Sequence, residues 1–136
     1  MQAQIFITLS SLAVGILAGE AIHLVNCSGQ HGYASYVVYC EQDNNCNFTP
    51  IGNNECTVSS GHFNTWEGAW QSCTFQENDV SFSWNIEGDA QSRGLYTQVG
   101  TGSNGFRNFN IFRDDDHEMW GGNGQQCNSV YYALDA

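Results

Sequence analysis

Lysine is missing from all 136 residues, and three arginines are the only permanently cationic side chains. Set against 14 acids they leave a formal net charge of −11. A surface of that sign repels phosphate backbones, which excludes nucleic acid bound through a basic groove and adsorption to anionic lipid. Proline is nearly absent too, with Pro50 alone, so turns fall to the abundant glycine, asparagine and serine. No stretch keeps apolar residues at helical spacing for three turns, which argues against a helical bundle. There is no paired Cys-x-x-Cys spacing for zinc, and no Gly-x-Ser-x-Gly turn to present a serine nucleophile.

The one long apolar run lies at the N-terminus, from Ile5 to Ala18, and is short for a bilayer span. Small residues follow it in Ala18-Gly19-Glu20-Ala21, as in a secretory leader with its cleavage site. Residues 1–21 are therefore expected to be a signal peptide and residues 22–136 a single domain, although cleavage after Ala18 or Gly19 also satisfies the pattern. The mature chain is expected to be secreted and extracellular, with no membrane span. Losing Glu20 with the leader leaves a formal charge of about −10.

Six cysteines remain: Cys27, Cys40, Cys46, Cys56, Cys73 and Cys127. In an exported chain an even number reads as disulfides, each contributing roughly 2–4 kcal/mol. Proximity favours Cys40 with Cys46 across Asp43-Asn44-Asn45; the other pairings stay open, since six cysteines allow about fifteen. With all six paired, a thiol nucleophile is not expected.

Alternation of apolar and polar residues is the dominant pattern. In Val80-Ser-Phe82-Ser-Trp84-Asn-Ile86 the large residues face one way and the small polar ones the other, a half-buried strand. Tyr33 to Cys40 reads as a strand buried on both faces. Further strands are expected at 63–66, 72–76, 93–99, 106–113 and 128–134. Gly88-Asp89, Gly100 to Gly105 and Gly121 to Gly124 read as turns. This predicts an all-β domain, a small antiparallel sandwich or barrel stabilised by disulfides.

Candidate chemistry concentrates near the C-terminus. Asp114, Asp116 and Glu118 alternate, so on a strand their carboxylates share one face, and a loop would wrap them round a hard cation such as Ca²⁺. No other cofactor is implied. His62 with Glu67, and His117 beside Glu118 and Arg113, are the local groupings able to do acid–base work. Trp66, Trp70 and Trp120, the last near Asn123, offer rings on which sugar faces stack while amides bond the hydroxyls. Sequons occur at Asn26-Cys-Ser and Asn47-Phe-Thr.

In size, acidity, lack of lysine and richness in tyrosine and glycine the chain resembles fungal guanyl-specific ribonucleases. That resemblance implies metal-independent hydrolysis by His, Glu and Arg, here through His62, Glu67 and His117. Their Tyr-x-Glu-Trp-Pro strand is absent, because Glu67 follows Trp66 and precedes Gly68. From its apolar leader to the Cys-x-x-Val-Tyr-Tyr ending the chain is also similar to small secreted cysteine-rich fungal proteins of effector or defence type. This second resemblance implies a non-enzymatic protein whose partner is a cell-wall glycan or an extracellular protein.

Overall fold

The computed structural model describes residues 19–43, 46, 54–122 and 124–136. Nine strands make one antiparallel sheet: β1 (Ala21–Gly29), β2 (Gly32–Cys40), β3 (Glu55–Ser60), β4 (Gln71–Thr74), β5 (Ser81–Ile86), β6 (Gln98–Ser103), β7 (Asn108–Arg113), β8 (Glu118–Gly122) and β9 (Gln125–Asp135). Eight of them run in the order β3-β2-β1-β9-β7-β6-β5-β4, with β8 added to β9 beside β7. The two ends of that path, β3 and β4, are joined by the Cys56–Cys73 disulfide with Cα atoms 6.2 Å apart. The sheet is thus a nearly closed barrel, which removes most of its open edge. Among the described residues no helix is long and apolar enough to cross a membrane.

The pattern around Trp84 behaves as expected: Phe82, Trp84 and Ile86 point into the barrel with 0 % exposure. They pack with Leu24, Val37, Phe109 and Tyr131 in the main core, and each such side chain gains about 1.5–3 kcal/mol from burial. The two-faced burial expected of Tyr33–Cys40 has a structural cause. Val37 belongs to the interior, while Val38 and Cys40 join Val25, Cys27, Met119 and Cys127 in a second cluster on the outer surface. β8 roofs that cluster with Met119 and Trp120.

Register explains the remaining disulfides. Cys27 stands directly opposite Cys127 where β1 pairs with β9, and the two are bonded. Cys40 and Cys46 are bonded as their spacing suggested. The expected domain boundary at residue 22 falls inside β1, since Ala21 pairs with both Cys40 and Leu134. Glu20 also bonds the Tyr39 hydroxyl at 2.8 Å and pairs with Arg107 at 3.2 Å.

Two glycine-rich stretches read as turns are strand in their first part and turn only at Gly105 and Gly124. Gly100 and Gly102 lie in β6, where a Cβ would meet Asn85 O at 2.3 Å and the Phe82 ring at 2.7 Å. Glycine here admits the close approach of β5. Gly121 and Gly122 belong to β8, and the expected strand at 93–99 begins only at Gln98.

Candidate functional site

The site is created by a split in β9. Its C-terminal half pairs with β7, from Arg113↔Tyr131 to Phe109↔Asp135, and its N-terminal half pairs with β8. Residues 114–117 cross the gap as a loop. The β1–β9 register slips at this point, Leu24 facing Tyr131 and Val25 facing Ser129, so Val130 is an extra residue. Such a bulge lets Tyr131 enter the core while Ser129 turns to the other face. The loop is pinned by Asp114 N donating to Val130 O and Ser129 N donating to His117 O, both at 3.0 Å. Asp114 Oδ1 accepts from Asp115 N and Asp115 Oδ1 from His117 N, while Asp116 adopts φ 63°.

On the outer side of this loop lies a cleft of about 410 Å³ whose walls include His23, Asp43, Tyr96, Asp114, Asp115 and His117. His23 is 4 % exposed. Its Nε2 lies 2.8 Å from Asp43 Oδ1 and its Nδ1 2.8 Å from Ser129 Oγ. Ser129 Oγ donates to Asp114 Oδ2 at 2.5 Å, so Nδ1 must donate to the serine. A doubly protonated imidazolium satisfies every one of these bonds. Burial works against that charge, but hydrogen bonding and the charges of Asp114 and Asp43 outweigh it and raise the His23 pKa above its ordinary 6.5. Asp43 is held below its usual value, chiefly by the bond to His23.

The order Asp43–His23–Ser129 superficially resembles a hydrolytic triad, yet Ser129 is fully buried and its hydroxyl donates its hydrogen bond to Asp114 rather than to His23. It is not a nucleophile. Nearby, His117 Nδ1 sits 2.6 Å from Asp115 Oδ1, and the Tyr96 hydroxyl donates to Asp115 Oδ2 at 2.8 Å. The Tyr96 bond and then His117 lower the Asp115 pKa to about 2. The rings of His23 and His117 meet edge to face at 6.3 Å.

On the other side, at the mouth of the barrel, is a second cleft of about 530 Å³. Tyr131 OH donates to Glu67 and accepts from Gln91 Nε2, the latter at 2.8 Å. Burial first, then Glu67, pushes the tyrosine well above its ordinary pKa. Arg113 lines the same cleft; one guanidinium nitrogen donates to the Arg93 carbonyl, and its buried Nε has no partner among the described residues. Asn26 Oδ1 accepts from Ser35 Oγ at 2.7 Å and from Trp66 Nε1 at 3.2 Å. Asn64 is fixed through its Nδ2 on Gln71 Oε1 at 2.9 Å. Phe63 and Leu95 form an exposed apolar rim, 42 % and 47 % accessible, and Tyr33 packs edge-on to Phe63 at 5.1 Å.

The residues singled out in the sequence are distributed unevenly over this geometry. Trp66 is a core side chain, 2 % exposed and 5.5 Å from Trp84, so it offers no open ring to a sugar. Trp70 is 63 % exposed but lines neither cleft. Trp120 is half-buried against the outer cluster, and Asn123 lies outside the described residues, as does Asn47. His62 is exposed in the turn after β3 and lines neither cleft; Glu67 lines the mouth and His117 the outer cleft.

The proposed calcium set also differs from what the loop brings together. Asp114, Asp115 and His117 present ligand atoms within 4.8 Å of one another. Asp116 and Glu118 stand outside that group, because the positive φ at Asp116 breaks the strand alternation and Glu118 folds over Gly121. His23, Asp43, Tyr96, Gln91 and Tyr131 were not anticipated. The one available signal was His23 itself, a polar interruption between Ile22 and Leu24. No family model, curated protein or solved structure matches the chain.

Proposed function

We propose that the protein is an exported, non-enzymatic binding protein whose ligand is an extracellular glycan held at the mouth of the barrel. One observation carries this reading: amides, a carboxylate and a guanidinium line one cleft beside an exposed aromatic edge. Asn26, Asn64 and Gln91 can each give and take hydrogen bonds, Glu67 accepts, Arg113 donates, and Phe63 supplies an apolar face. A sugar presents that mixture, hydroxyls that both donate and accept around an apolar ring face. A cleft of about 530 Å³ suits a few sugar units.

Export follows from the leader-like N-terminus and agrees with three disulfides, which persist in oxidising compartments. Leader cleavage after Ala18, one of the positions its small residues allow, keeps the contacts of Glu20 and Ala21. Hydrolysis through His62, Glu67 and His117 gains no support from the geometry, since the three line different surfaces. Retention of the purified protein on insoluble chitin, chitosan, glucan and mannan tests the glycan reading. One polymer is expected to retain it, with Phe63→Ala and Gln91→Ala each weakening retention at least about fivefold, roughly 1 kcal/mol apiece. Failure on every polymer, or retention indifferent to both substitutions, would leave a partner protein as the ligand.

A further inference from the structure

We infer that the end of the barrel opposite the mouth holds a second ligand site, for a small neutral molecule with a flat apolar body and one carbonyl-type acceptor oxygen. The site shares no lining residue with the mouth cleft, so it stands whether or not a glycan binds there. Strand direction fixes its place. β1, β5 and β7 run the same way, because each antiparallel step reverses direction and an even number of steps separates them. Arg113 ends β7 at the mouth, whereas Glu20, Val80 and Arg107 precede the three strands at the far end.

There a recess of about 260 Å³ opens between the starts of β1 and β5 and the β6–β7 turn. Ile22 and Phe82, buried in the main core, lie at its floor, and Tyr39, Phe75 and Val80 form its sides. The remaining wall is Phe106, 81 % exposed and the most open large apolar side chain among the described residues. Its backbone is fixed. Asn104 Oδ1 accepts from Phe106 N at 2.9 Å and from Arg107 N at 2.8 Å, and Gly105 takes a left-handed φ of 87°. Arg107 is in turn tied to Asp135 at 3.0 Å and to Glu20 at 3.2 Å. An open ring on a turn already held in place loses little freedom when a ligand covers it.

The rim sets the polarity of the occupant. Asn78 Oδ1 accepts from Val80 N at 3.0 Å, and Asn104 Oδ1 carries the two turn amides, so backbone donors fix the orientation of both carboxamides. Each is left with Nδ2 hydrogens to give, and neither Nδ2 has an acceptor among the described residues. The one carboxylate at the recess, Glu20, is answered by the Tyr39 hydroxyl and by Arg107, so no unpaired charge asks for a charged ligand. An apolar body carrying an acceptor oxygen satisfies floor and rim together. A sugar does not, because its hydroxyls would be desolvated over Phe75, Val80 and Phe82.

An NMR titration of the whole protein tests this with two probes of equal size, 2-acetylnaphthalene and 2-ethylnaphthalene, which differ in the ketone oxygen. The expected result is saturable shifts of the Val80 and Phe106 amides and of the Asn78 and Asn104 carboxamides, with Phe63 and Gln91 unmoved. The ketone should bind at least about fivefold tighter, the worth of one hydrogen bond. Phe106→Ala should weaken both probes by at least about fivefold through lost ring contact, while its thermal midpoint, as befits an exposed residue, stays that of the wild type. Shifts centred on the mouth, or none at either end, would overturn the site. Equal affinity for the two naphthalenes would overturn the ligand class inferred from the rim. Affinities indifferent to Phe106→Ala would overturn the role of the open ring and, with it, the recess as the place of binding.

Discussion

Replacing His23 by leucine tests the electrostatics on which the whole acidic loop depends. The imidazolium lies between Asp43 at 2.8 Å and Asp114 at 3.7 Å, and the Asp114 side chain is only 5 % exposed. Removing the cation leaves a buried carboxylate with the Ser129 hydroxyl, the Asp115 amide and the more exposed His117 Nδ1 at 3.4 Å as its remaining partners. Breaking a buried pair from one side costs about 3–5 kcal/mol, a large share of the 5–15 kcal/mol typical of a domain. The effect depends on pH in a definite direction. Because the folded pKa of His23 lies above 6.5, its contribution is complete below pH 6.5 and disappears as pH rises through the raised value. Asp43 is depressed below 3.8, so its contribution is present above that value and lost as pH falls through the lower folded one. Stability should therefore be greatest between about pH 4 and pH 6.5 and decline on the alkaline side. Urea unfolding with the disulfides intact, at pH 5.5 and pH 9, measures both effects. His23→Leu should cost about 3–5 kcal/mol at pH 5.5 and progressively less as pH rises through the raised pKa of the wild-type imidazole. Adding Asp114→Asn to His23→Leu should recover part of the loss. A cost below about 1 kcal/mol at pH 5.5 would refute a charged His23.

The Cys56–Cys73 bridge closes 17 residues, so Cys56→Ser with Cys73→Ser should cost about 3 kcal/mol by chain entropy. Hydrogen exchange should rise first in β4; acceleration starting in β9 instead would show that the bridge does not close the barrel. If the chain is exported and processed as proposed, the intact mass of the mature protein should place its N-terminus at or before Glu20, with Glu20→Gln weakening the Tyr39 and Arg107 contacts at slight cost. A mature chain beginning at Ile22 would show that those contacts are dispensable.

The fold was legible wherever burial follows a period of two. Ser81–Ile86 could be read from its side chains because large and small residues alternate and neither face is shared with another core. Gly100 and Gly102 could not, because glycine has two uses: it relaxes a turn, or it lets a neighbouring strand come within a Cβ radius. Only the position of Phe82 and Asn85 across the ladder decides between them. β1 was obscured differently, since its apolar start follows closely on the apolar run Ile5–Ala18. The sequence pointed to the acidic loop, but the partners of that loop were out of reach. His23 and Ser129 are 106 residues apart, brought together by the β1–β9 register and a one-residue bulge that no local pattern announces. Asp114, Asp116 and Glu118 do not share a face for a local reason, since one positive φ at Asp116 is enough to break the alternation.

The two clefts are best understood as the two sides of one charged wall. Asp114 and Asp115 line both, so whatever neutralises them from the outside sets the potential felt at the mouth. On the outer side the chain supplies its own counter-charges and donors: His23 and Ser129 to Asp114, His117 and Tyr96 to Asp115. On the mouth side it supplies only Arg113, partly spent on a carbonyl, and leaves Asp116 unanswered. That asymmetry separates acids answered by the chain itself from an exposed one left to solvent, within three consecutive residues. It also means that the sides are coupled. Deprotonating His23 adds net negative charge to a wall that both clefts share, so the potential at the mouth becomes more negative while the fold beneath it is held less strongly, both changes following the raised pKa of one imidazolium.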